Sequence, residues 1–537
     1  MRITNKIMQN NNLSNINTNK ILQDRLSTQM STQKKISRPS EDPVVAIRAL
    51  RLRSNVTEVT QYYSKNIPDA KSWLEVTEGA LKNTSEIITN MISQCTKGAN
   101  GDLTSGDREI VLEQLKALRD EVYATGDADY AGRFVFTGYR TDISLSFPEV
   151  TDLKYEITQQ FSRDDISDMI FVKTTAEGNA NNTVNLGDIN STNYDDIDVD
   201  ETDIEAVEVH RFRLGYDNCT ATAGCIPKIE RVTGANADGT PKVETLVEPA
   251  NVVQVHSFDV PTAYEQAANP ANADKVFYVP ETGEVVLGKN VYEKMMAIQD
   301  DESTAIANEG EIRITYEKNQ WLKGDLRPEH YYACTTTEMI DGQEKKIDYN
   351  QVYLGGNDVA KQAIEYDVGF NQTIRVNSTA DECFDPEIGR EVDDLINALE
   401  DVQDMEKVVT DLKALIAKTT DETDLETLNT RLDAANKSLT LMKDKSQKLF
   451  EHGITKMQGY LDDTNLALTN CGTRSSKLEL IENRLKNQKT TFETLKSENE
   501  DIDITEVAIQ LTSAELTYEA ALMATGKVMQ TTLLNFI

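Results

Sequence analysis

The C-terminal stretch from Cys471 to Ile537 carries two helical patterns separated by a short acidic break at 500–503. In the first pattern, positions spaced three or four apart place one mostly apolar stripe on an α-helix. That stripe is Leu478, Ile481, Leu485, Gln488, Phe492, Leu495, Asn499 and Ile502. After the break, Asp503 and Glu506 resemble a capping box, which predicts the start of a second helix.

The second helix has a stripe that runs to the end of the sequence. Its positions are Val507, Leu511, Ala514, Tyr518, Ala521 or Leu522, Thr525, Met529, Leu533 and Phe536. Chain ends usually fray because they bury little, so an end this apolar needs a partner surface. We therefore predict an assembly surface made of Leu22, Leu26, Met30, Val507, Leu511, Tyr518, Leu522, Met529, Leu533, Leu534, Phe536 and Ile537.

The N-terminal third is also helical in pattern. Residues 1–36 predict a weak helix, with Leu13, Ile16, Leu22, Leu26, Met30 and Ile36 at roughly helical spacing. A break at 37–43 ends with Asp42 as N-cap and Pro43 as first helical residue. The next stripe runs from Val56 to Cys95, and Pro68 should kink or divide it. Thr104 and Asp107 then cap a third helix that carries Val111, Leu115, Leu118 and Val122.

Beyond Gly126 the period changes from 3.6 to 2. Gly132 to Tyr139 (GRFVFTGY) predicts one arm of a hairpin, with Phe134 and Phe136 on one face. From 141 to 385, strand-like pieces alternate with turn residues. These pieces are 207–214, 252–260, 275–279, 284–287, 311–316, 362–368 and 372–376. Helical patterns return from Glu391, with a polar break at 419–424 and a helix junction at His452.

This order predicts an α+β fold. Both ends form a long α-helical coiled-coil bundle, and one or two β-rich domains are inserted between them. The predicted divisions are an N-terminal segment (1–42) that is disordered or loosely helical until assembled, a bundle with the aromatic hairpin (43–145 and 386–500), an outer β-rich part (146–385) and a C-terminal assembly helix (501–537).

Charge narrows the set of partners. A formal net charge of −35 argues against nucleic acid and anionic membranes. Residues 1–53 contain ten Lys and Arg against three Asp and Glu, whereas residues 498–519 contain seven acidic and no basic residues. Opposite charge favours contact between these segments, although two unrelated solvated faces would give the same pattern.

Candidate chemistry is sparse. Gly283, Gly288 and Lys289 match GxxxxGK, but Asn290 replaces the magnesium-binding hydroxyl, so a β-hairpin is favoured. The acidic run 195–200 fails as an EF-hand and reads as a solvated loop. The four histidines lack patterned partners, and the six scattered cysteines indicate free thiols. We expect no catalytic, metal or cofactor site, no cofactor, and hence no enzyme.

Both ends resemble the flagellin-like axial proteins of the bacterial flagellum. The matching residues are Met1–Thr4, Ser37–Pro43, Trp73–Leu81, Gly472–Arg474, Asp501–Asp503 and Leu533–Ile537. The Arg-Pro-Ser-Glu-Asp-Pro break and GRFVFTGY look most like the hook–filament junction family, the third hook-associated proteins. The resemblance implies helical ends that form an inner tube and a structural role in motility.

The same resemblance implies an extracellular location in the flagellum, after export by the flagellar type III system without a cleaved signal peptide. Its implied partners are flagellin, the neighbouring hook-associated protein, further copies in a ring and a cytosolic export chaperone on the C-terminal helices. Filament flagellin is the nearest alternative. An enzyme or binding module housed in the central insert is a more distant one.

Overall fold

The computed structural model describes residues 5–100, 103–177, 183–222, 224–235, 241–298, 312–340, 343–355 and 362–530. Their helices are α1 (Asn5–Thr32), α2 (Pro43–Gln61), α3 (Ile67–Gly98), α4 (Ser105–Ala124), α5 (Ala263–Ala268), α6 (Lys289–Met296), α7 (Glu387–Ile416), α8 (Glu422–Glu500) and α9 (Ile504–Gln530). The α+β class predicted from the sequence is confirmed.

The strands fall between the two groups of long helices. They are β1 (Asp129–Tyr130), β2 (Arg133–Phe134), β3 (Tyr155–Phe161), β4 (Ser167–Lys173), β5 (Thr175–Glu177), β6 (Thr183–Asn185), β7 (Glu205–Arg213), β8 (Lys228–Ala235), β9 (Pro241–Val247), β10 (Val252–Gln254), β11 (Val276–Val279), β12 (Glu284–Leu287), β13 (Ile312–Lys318), β14 (Ala333–Ile340), β15 (Gln343–Tyr349), β16 (Glu365–Gly369) and β17 (Gln372–Arg375).

The chain divides into two compact units. The first consists of Met1–Lys71, Tyr366–Ile374 and Ser475–Ile537, and the second of Ser72–Glu365 and Arg375–Arg474. The first unit thus joins segments from both ends of the sequence to a short hairpin from its middle.

In the first unit, local signals set the helix boundaries. The Asp42 carboxylate accepts hydrogen bonds from the Val44 and Val45 N–H groups at 3.0 and 3.1 Å, which confirms the predicted cap. At the start of α9, the Asp503 carboxylate accepts from the Thr505 N–H at 2.9 Å and from the Glu506 N–H at 3.3 Å. Asp503 is therefore the N-cap that the sequence predicted.

Pro68 widens the helix without ending it. One π-helical turn, Tyr62–Asn66, joins α2 to α3, and the Ile67 N–H donates to the Tyr62 carbonyl. Proline has no N–H for the carbonyl four residues earlier, and its ring crowds that carbonyl. A π-turn accommodates both effects while the backbone remains helical.

The tip of the hairpin β16–β17 packs on helices of the first unit. The Asn66 side-chain amide donates to the Asp367 carbonyl at 2.8 Å. The Tyr366 hydroxyl donates to Asp69, and the Arg484 guanidinium donates to Gln372. These contacts attach the hairpin tip to the start of α3 and the end of α8.

The last part of α8 corrects the predicted stripe. Leu478, Ile481 and Leu485 are buried as predicted, but Gln488 and Leu495 are exposed. Beyond Leu485, the partly covered side chains in this stretch are Lys489, Phe492, Lys496 and Asn499. The Lys489 ammonium lies 5.7 Å from the centre of the Tyr63 ring, so its stem packs while its charge stays near solvent.

The second unit has a helical core made by α3, α4, α7 and α8. Its buried residues include Ile88, Met91, Cys95, Val111, Leu112, Leu115, Val122, Ile388, Val392, Leu395, Leu399, Phe450 and Met457. The capping box of Thr104 and Asp107 starts α4 as predicted. Because α8 runs unbroken for 79 residues, the predicted junction at His452 is wrong.

The second unit contains two large sheets, besides the two-stranded pairs β1–β2 and β5–β6. The order of one is β10-β11-β12-β7-β4, with β10 and β11 parallel and its other pairs antiparallel. The other, β15-β14-β3-β13-β8-β9, is antiparallel. In the five-stranded sheet, Val285 pairs with Tyr278 across the hairpin of β11 and β12, and Gly283 adopts φ +63° in the turn of this hairpin. The GxxxxGK match is therefore a hairpin, as predicted.

The aromatic hairpin is shorter than the sequence predicted. Its paired residues end at Phe134, and the next three side chains, Val135, Phe136 and Thr137, are all buried. The predicted alternation over Gly132–Tyr139 is therefore wrong. Tertiary contacts override this alternation. The centres of the Phe136 and Phe384 rings lie 4.8 Å apart in an edge-on arrangement, and the backbone carbonyl of Phe136 accepts a hydrogen bond from the Ala380 N–H at 2.9 Å.

The acidic run 195–200 is not simply a solvated loop. Ile197 and Val199 are buried in a second core with the end of α7 and the start of α8. Arg431, on α8, pairs with the Asp198 carboxylate at 2.7 Å and donates to the Val199 carbonyl at 2.9 Å. All six cysteines are free thiols, as predicted.

Candidate assembly surface

Helices α1 and α9 pack along one another in the first unit. The Ile502 N–H donates to the Gln33 carbonyl at 3.3 Å, and the Lys35 N–H donates to the Glu500 carbonyl at 2.8 Å. Next to these bonds, Leu26 packs with Val507 and Ala514. Because the end of α1 meets the start of α9, the two helices run antiparallel.

The seam between these helices has coiled-coil spacing. The covered positions that follow this spacing on α1 are Gln9, Asn12, Ile16, Asn19, Gln23, Leu26 and Met30. Those on α9 are Val507, Leu511, Ala514, Tyr518, Ala521 and Thr525. Both sets alternate steps of three and four, which keeps one stripe of each helix facing its partner. Four of the seven α1 positions are amides, which gain far less from burial than aliphatic side chains.

Ion pairs lie at one end of the seam, where the end of α1 meets the start of α9. Lys34 pairs with Asp501 and lies 3.7 Å from Glu500. Arg53, on α2, binds both oxygens of Glu500 at 2.7 Å. The Arg53 hydrogen bonds hold the pKa of Glu500 below its usual value, and Lys34 has the same effect on the pKa of Asp501. The basic and acidic terminal segments therefore meet, as their charges predicted.

The face of α9 opposite the seam is also apolar. Ile509, Leu516 and Met523 recur every seven residues, and each is between 63% and 67% exposed. Ile509 follows the seam residue Val507 by two positions, which is about 200° around the helix. A helix that is apolar on two opposite faces is typical of one buried on both sides.

A second exposed apolar patch lies on α2. Val44, Ile47 and Leu50 are between 55% and 65% exposed. Arg48 and Arg51 project from the same turns and are exposed too. In this unit, two separate faces thus combine aliphatic side chains with charge and lie open to solvent.

The structure places the predicted assembly residues in three groups. Leu26, Met30, Val507, Leu511 and Tyr518 lie in the seam. Leu22 and Leu522 do not, being 44% and 46% exposed. Met529 lies within α9, where only its backbone is described, and Leu533, Leu534, Phe536 and Ile537 lie outside the described residues.

Sequence reasoning missed the outer stripe of α9. Its signal was present as the strict repeat of seven from Ile509 to Met523. The spacing of three and four residues that begins at Val507 is the stronger pattern, and it predicts only the seam face of α9. The α2 patch was missed because its apolar residues step by three and are interrupted by arginines.

The histidines offer only small candidate sites. His210 and His256 do have carboxylate partners, Asp168 at 2.7 Å and Glu281 at 2.6 Å, which the sequence pattern did not reveal. His330 is buried, and this lowers its pKa to about 3. Among the described residues, no three His, Cys, Asp or Glu side chains are grouped as metal ligands.

The described helices include none that is long and apolar enough to cross a membrane.

Comparison with known proteins finds similarity in the N-terminal helices. Residues 3–141 match the family described as the bacterial flagellin N-terminal helical region. This part of the chain is therefore similar to that family. It contains α1 to α4 and the aromatic hairpin, so the first seam helix and the α2 patch both lie within it.

Proteins similar to this chain include flagellar hook-associated protein 3 of Salmonella typhimurium, 30% identical over 144 residues. The match covers 26% of this chain and 45% of that protein. The Escherichia coli protein of the same name is 28% identical over 144 residues, with the same coverage. This chain thus spans about half the length of these relatives.

Among solved structures, hook-associated protein 3 of Legionella pneumophila aligns with 83% of this chain and 98% of its own, at 10% identity and a TM-score of 0.30. A flagellin of Clostridium tyrobutyricum is 27% identical over 122 residues, covering 23% of this chain and 32% of that protein. The family match and the sequence relatives confirm that the N-terminal part of the chain resembles flagellin-like axial proteins.

Proposed function

We propose that this chain is a structural, non-enzymatic subunit of the bacterial flagellum that joins the hook-associated region to the filament. Its terminal helices would do this by self-assembly. The observation that carries the proposal is the second apolar face of α9, with Ile509, Leu516 and Met523 open to solvent opposite the seam. Two matched relatives are named flagellar hook-associated protein 3, which supports the same role.

The energetic argument is simple. Burying one Leu, Ile or Met side chain is worth roughly 1.5–3 kcal/mol. The α1–α9 seam captures only part of this. Among the described residues its buried cluster consists of Leu26, Val507 and Ala514, with Met30, Ile502 and Leu511 partly buried against it. A second surface over the outer face of α9 would bury three further large side chains. Assembly is therefore the state in which α9 is fully covered.

The finer parts of the proposal follow from the family resemblance. The chain would form a ring by self-association and contact flagellin on one side and the neighbouring hook-associated protein on the other. It would leave the cell through the flagellar type III system without a cleaved signal peptide. A cytosolic chaperone would cover the C-terminal helices before export, which fits the apolar faces of α9.

A strain without this chain tests the proposed role. We expect it to build hooks but release flagellin into the medium, and the wild-type gene should restore filaments. A chain with Ile509→Asp and Leu516→Asp should fail to restore them, whereas the exposed α8 control Leu480→Asp should succeed. Normal filaments in the deletion strain would refute the proposal.

Filament flagellin remains the alternative, because 122 residues of the chain match the Clostridium tyrobutyricum flagellin at 27% identity. Copy number separates the two roles. A junction subunit should be present in a few copies per isolated flagellum, whereas flagellin should be its most abundant protein. Quantitative mass spectrometry of sheared flagella measures this ratio directly.

A further inference from the structure

We infer that neighbouring copies of this chain bind head to tail, with the outer face of α9 in one copy seated on the α2 patch of the next. The outer α9 face comprises Ile509, Leu516 and Met523 with Glu515 and Glu519. The α2 patch comprises Val44, Ile47 and Leu50 with Arg48 and Arg51. This inference rests on the proposed self-assembly and specifies which surfaces carry it.

Both surfaces are uncovered in the same unit. Their six apolar side chains are each more than half exposed, so the two surfaces do not cover one another within one chain. Contact between them therefore requires a second copy. Several large apolar side chains exposed along one helix face indicate an interaction site.

Charge selects the pairing. On α9, Glu519 lies three residues after Leu516 and four before Met523, which places it beside the apolar stripe. On α2, Arg51 lies four residues after Ile47, and Arg48 four after Val44. The middle of the outer α9 face is thus acidic, with one opposite charge, Lys527, near its end, and the α2 patch is basic. Their contact brings opposite charges together around an apolar centre.

The charged groups are available for this role. Within the part of the chain that the structure describes, Arg48, Arg51, Glu515 and Glu519 form no salt bridge, and all four are exposed. By contrast, the neighbouring Arg53 is engaged with Glu500. Pairing the four free charges across copies would break no contact that holds a single chain together.

The same charges disfavour symmetric contacts. Two outer α9 faces together would oppose glutamates to glutamates, and two α2 patches would oppose arginines to arginines. When unlike surfaces pair, one copy keeps a free α2 patch and the other keeps a free outer α9 face. Such a contact repeats from copy to copy and closes into a ring or continues as a helical array.

A charge swap in the full-length chain tests the pairing. The first variant carries Arg48→Glu and Arg51→Glu, the second carries Glu515→Arg and Glu519→Arg, and the third carries all four changes. Sedimentation velocity over a concentration series gives the concentration at which half of the protein is assembled. Circular dichroism at 222 nm checks that each variant keeps the wild-type helix content.

We expect each of the first two variants to raise the half-assembly concentration at least tenfold, which corresponds to about 1.4 kcal/mol. An equimolar mixture of these two variants, and the third variant alone, should return to within about threefold of the wild type, because opposite charges again face one another. The control Lys477→Glu with Lys486→Glu, two exposed positions on α8, should assemble like the wild type.

Unchanged assembly of the first two variants, or no recovery in the mixture and the third variant, would overturn the inference while leaving self-assembly intact. If a reversal lowers helix content, the milder changes Arg48→Gln with Arg51→Gln and Glu515→Gln with Glu519→Gln decide in its place. Each should raise the half-assembly concentration, and no rise in either overturns the pairing. A wild-type chain that never assembles would instead refute the proposed function.

Discussion

Arg53 and Glu500 lie 447 positions apart in the chain and form a two-pronged ion pair, with Nε–Oε1 and Nη2–Oε2 both at 2.7 Å. The Glu500 side chain is only 4% exposed, whereas that of Arg53 is 55% exposed. The pair therefore joins α2 to the junction between α8 and α9. It supplies the charge that allows this carboxylate to be buried.

Removing Arg53 should weaken the first unit. Arg53→Ala leaves the buried Glu500 carboxylate without its two charged hydrogen bonds, and we expect a loss of roughly 1 kcal/mol in unfolding free energy. That value discounts the usual 1.5–3 kcal/mol for charged hydrogen bonds because Arg53 is half exposed and screened by solvent. Denaturation followed at 222 nm in dilute protein measures the change. The exposed Arg51→Ala is the control, and an equal loss there would contradict the assignment.

Acid should release the same junction. The folded-state pKa of Glu500 lies below its unfolded value, so the unfolded chain binds more protons. The stabilisation is present above the unfolded pKa of about 4.3 and is lost as pH falls through the folded pKa. Thermal midpoints should therefore drop more steeply below about pH 4 in the wild type than in Glu500→Gln. Parallel pH profiles would show that this pair does not contribute.

Pro68→Ala should raise stability. The backbone is helical on both sides of the π-turn Tyr62–Asn66, so an alanine N–H can restore a hydrogen bond that proline cannot make. Proline costs up to about 3 kcal/mol inside a helix, which sets the upper limit of the gain. Thermal melts compare this variant with Lys71→Ala, an exposed change on the same helix. A fall in stability would show that Pro68 serves as the start of α3.

Limited proteolysis tests the predicted division of the chain. We expect residues 146–385 to fold independently of the helical ends, because the pattern changes from period 3.6 to period 2 at both borders. Digestion of the soluble protein should leave a resistant central fragment, identified by mass spectrometry. Rapid and even digestion across 146–385 would contradict this division.

Truncation tests the C-terminal end. Deleting Met529–Ile537 removes the apolar run Leu533, Leu534, Phe536 and Ile537 but leaves most of α9 in place. We expect the thermal midpoint of the monomer to change little and junction assembly to fail, so that cells release flagellin. We also expect the terminal helices to be at most loosely ordered in the free monomer and to become ordered on assembly. Normal filaments on the truncated chain would contradict this role.

Features encoded within a few residues could be read from the sequence. The caps at Asp42, Thr104 and Asp503 lie where the sequence placed them, and the polar break predicted at 419–424 is found slightly earlier, at 417–421 between α7 and α8. Each depends on a side chain that bonds to a backbone group two or three residues away, so no distant partner is needed. The seam residues Leu26, Met30, Val507 and Leu511 were likewise visible, because helical periodicity is a local property.

The tertiary structure alone decided which periodic positions are covered. Leu22 and Leu522 have the spacing of seam residues but remain exposed, because antiparallel packing of α1 on α9 selects one register of each helix. Strands β3, β8 and β14 were missed, since their pairing with one another or with β13 joins segments that are far apart in sequence. Tertiary contacts likewise determine the short aromatic hairpin and the burial of Val199. Burial depends on partners hundreds of residues away, which local pattern does not specify.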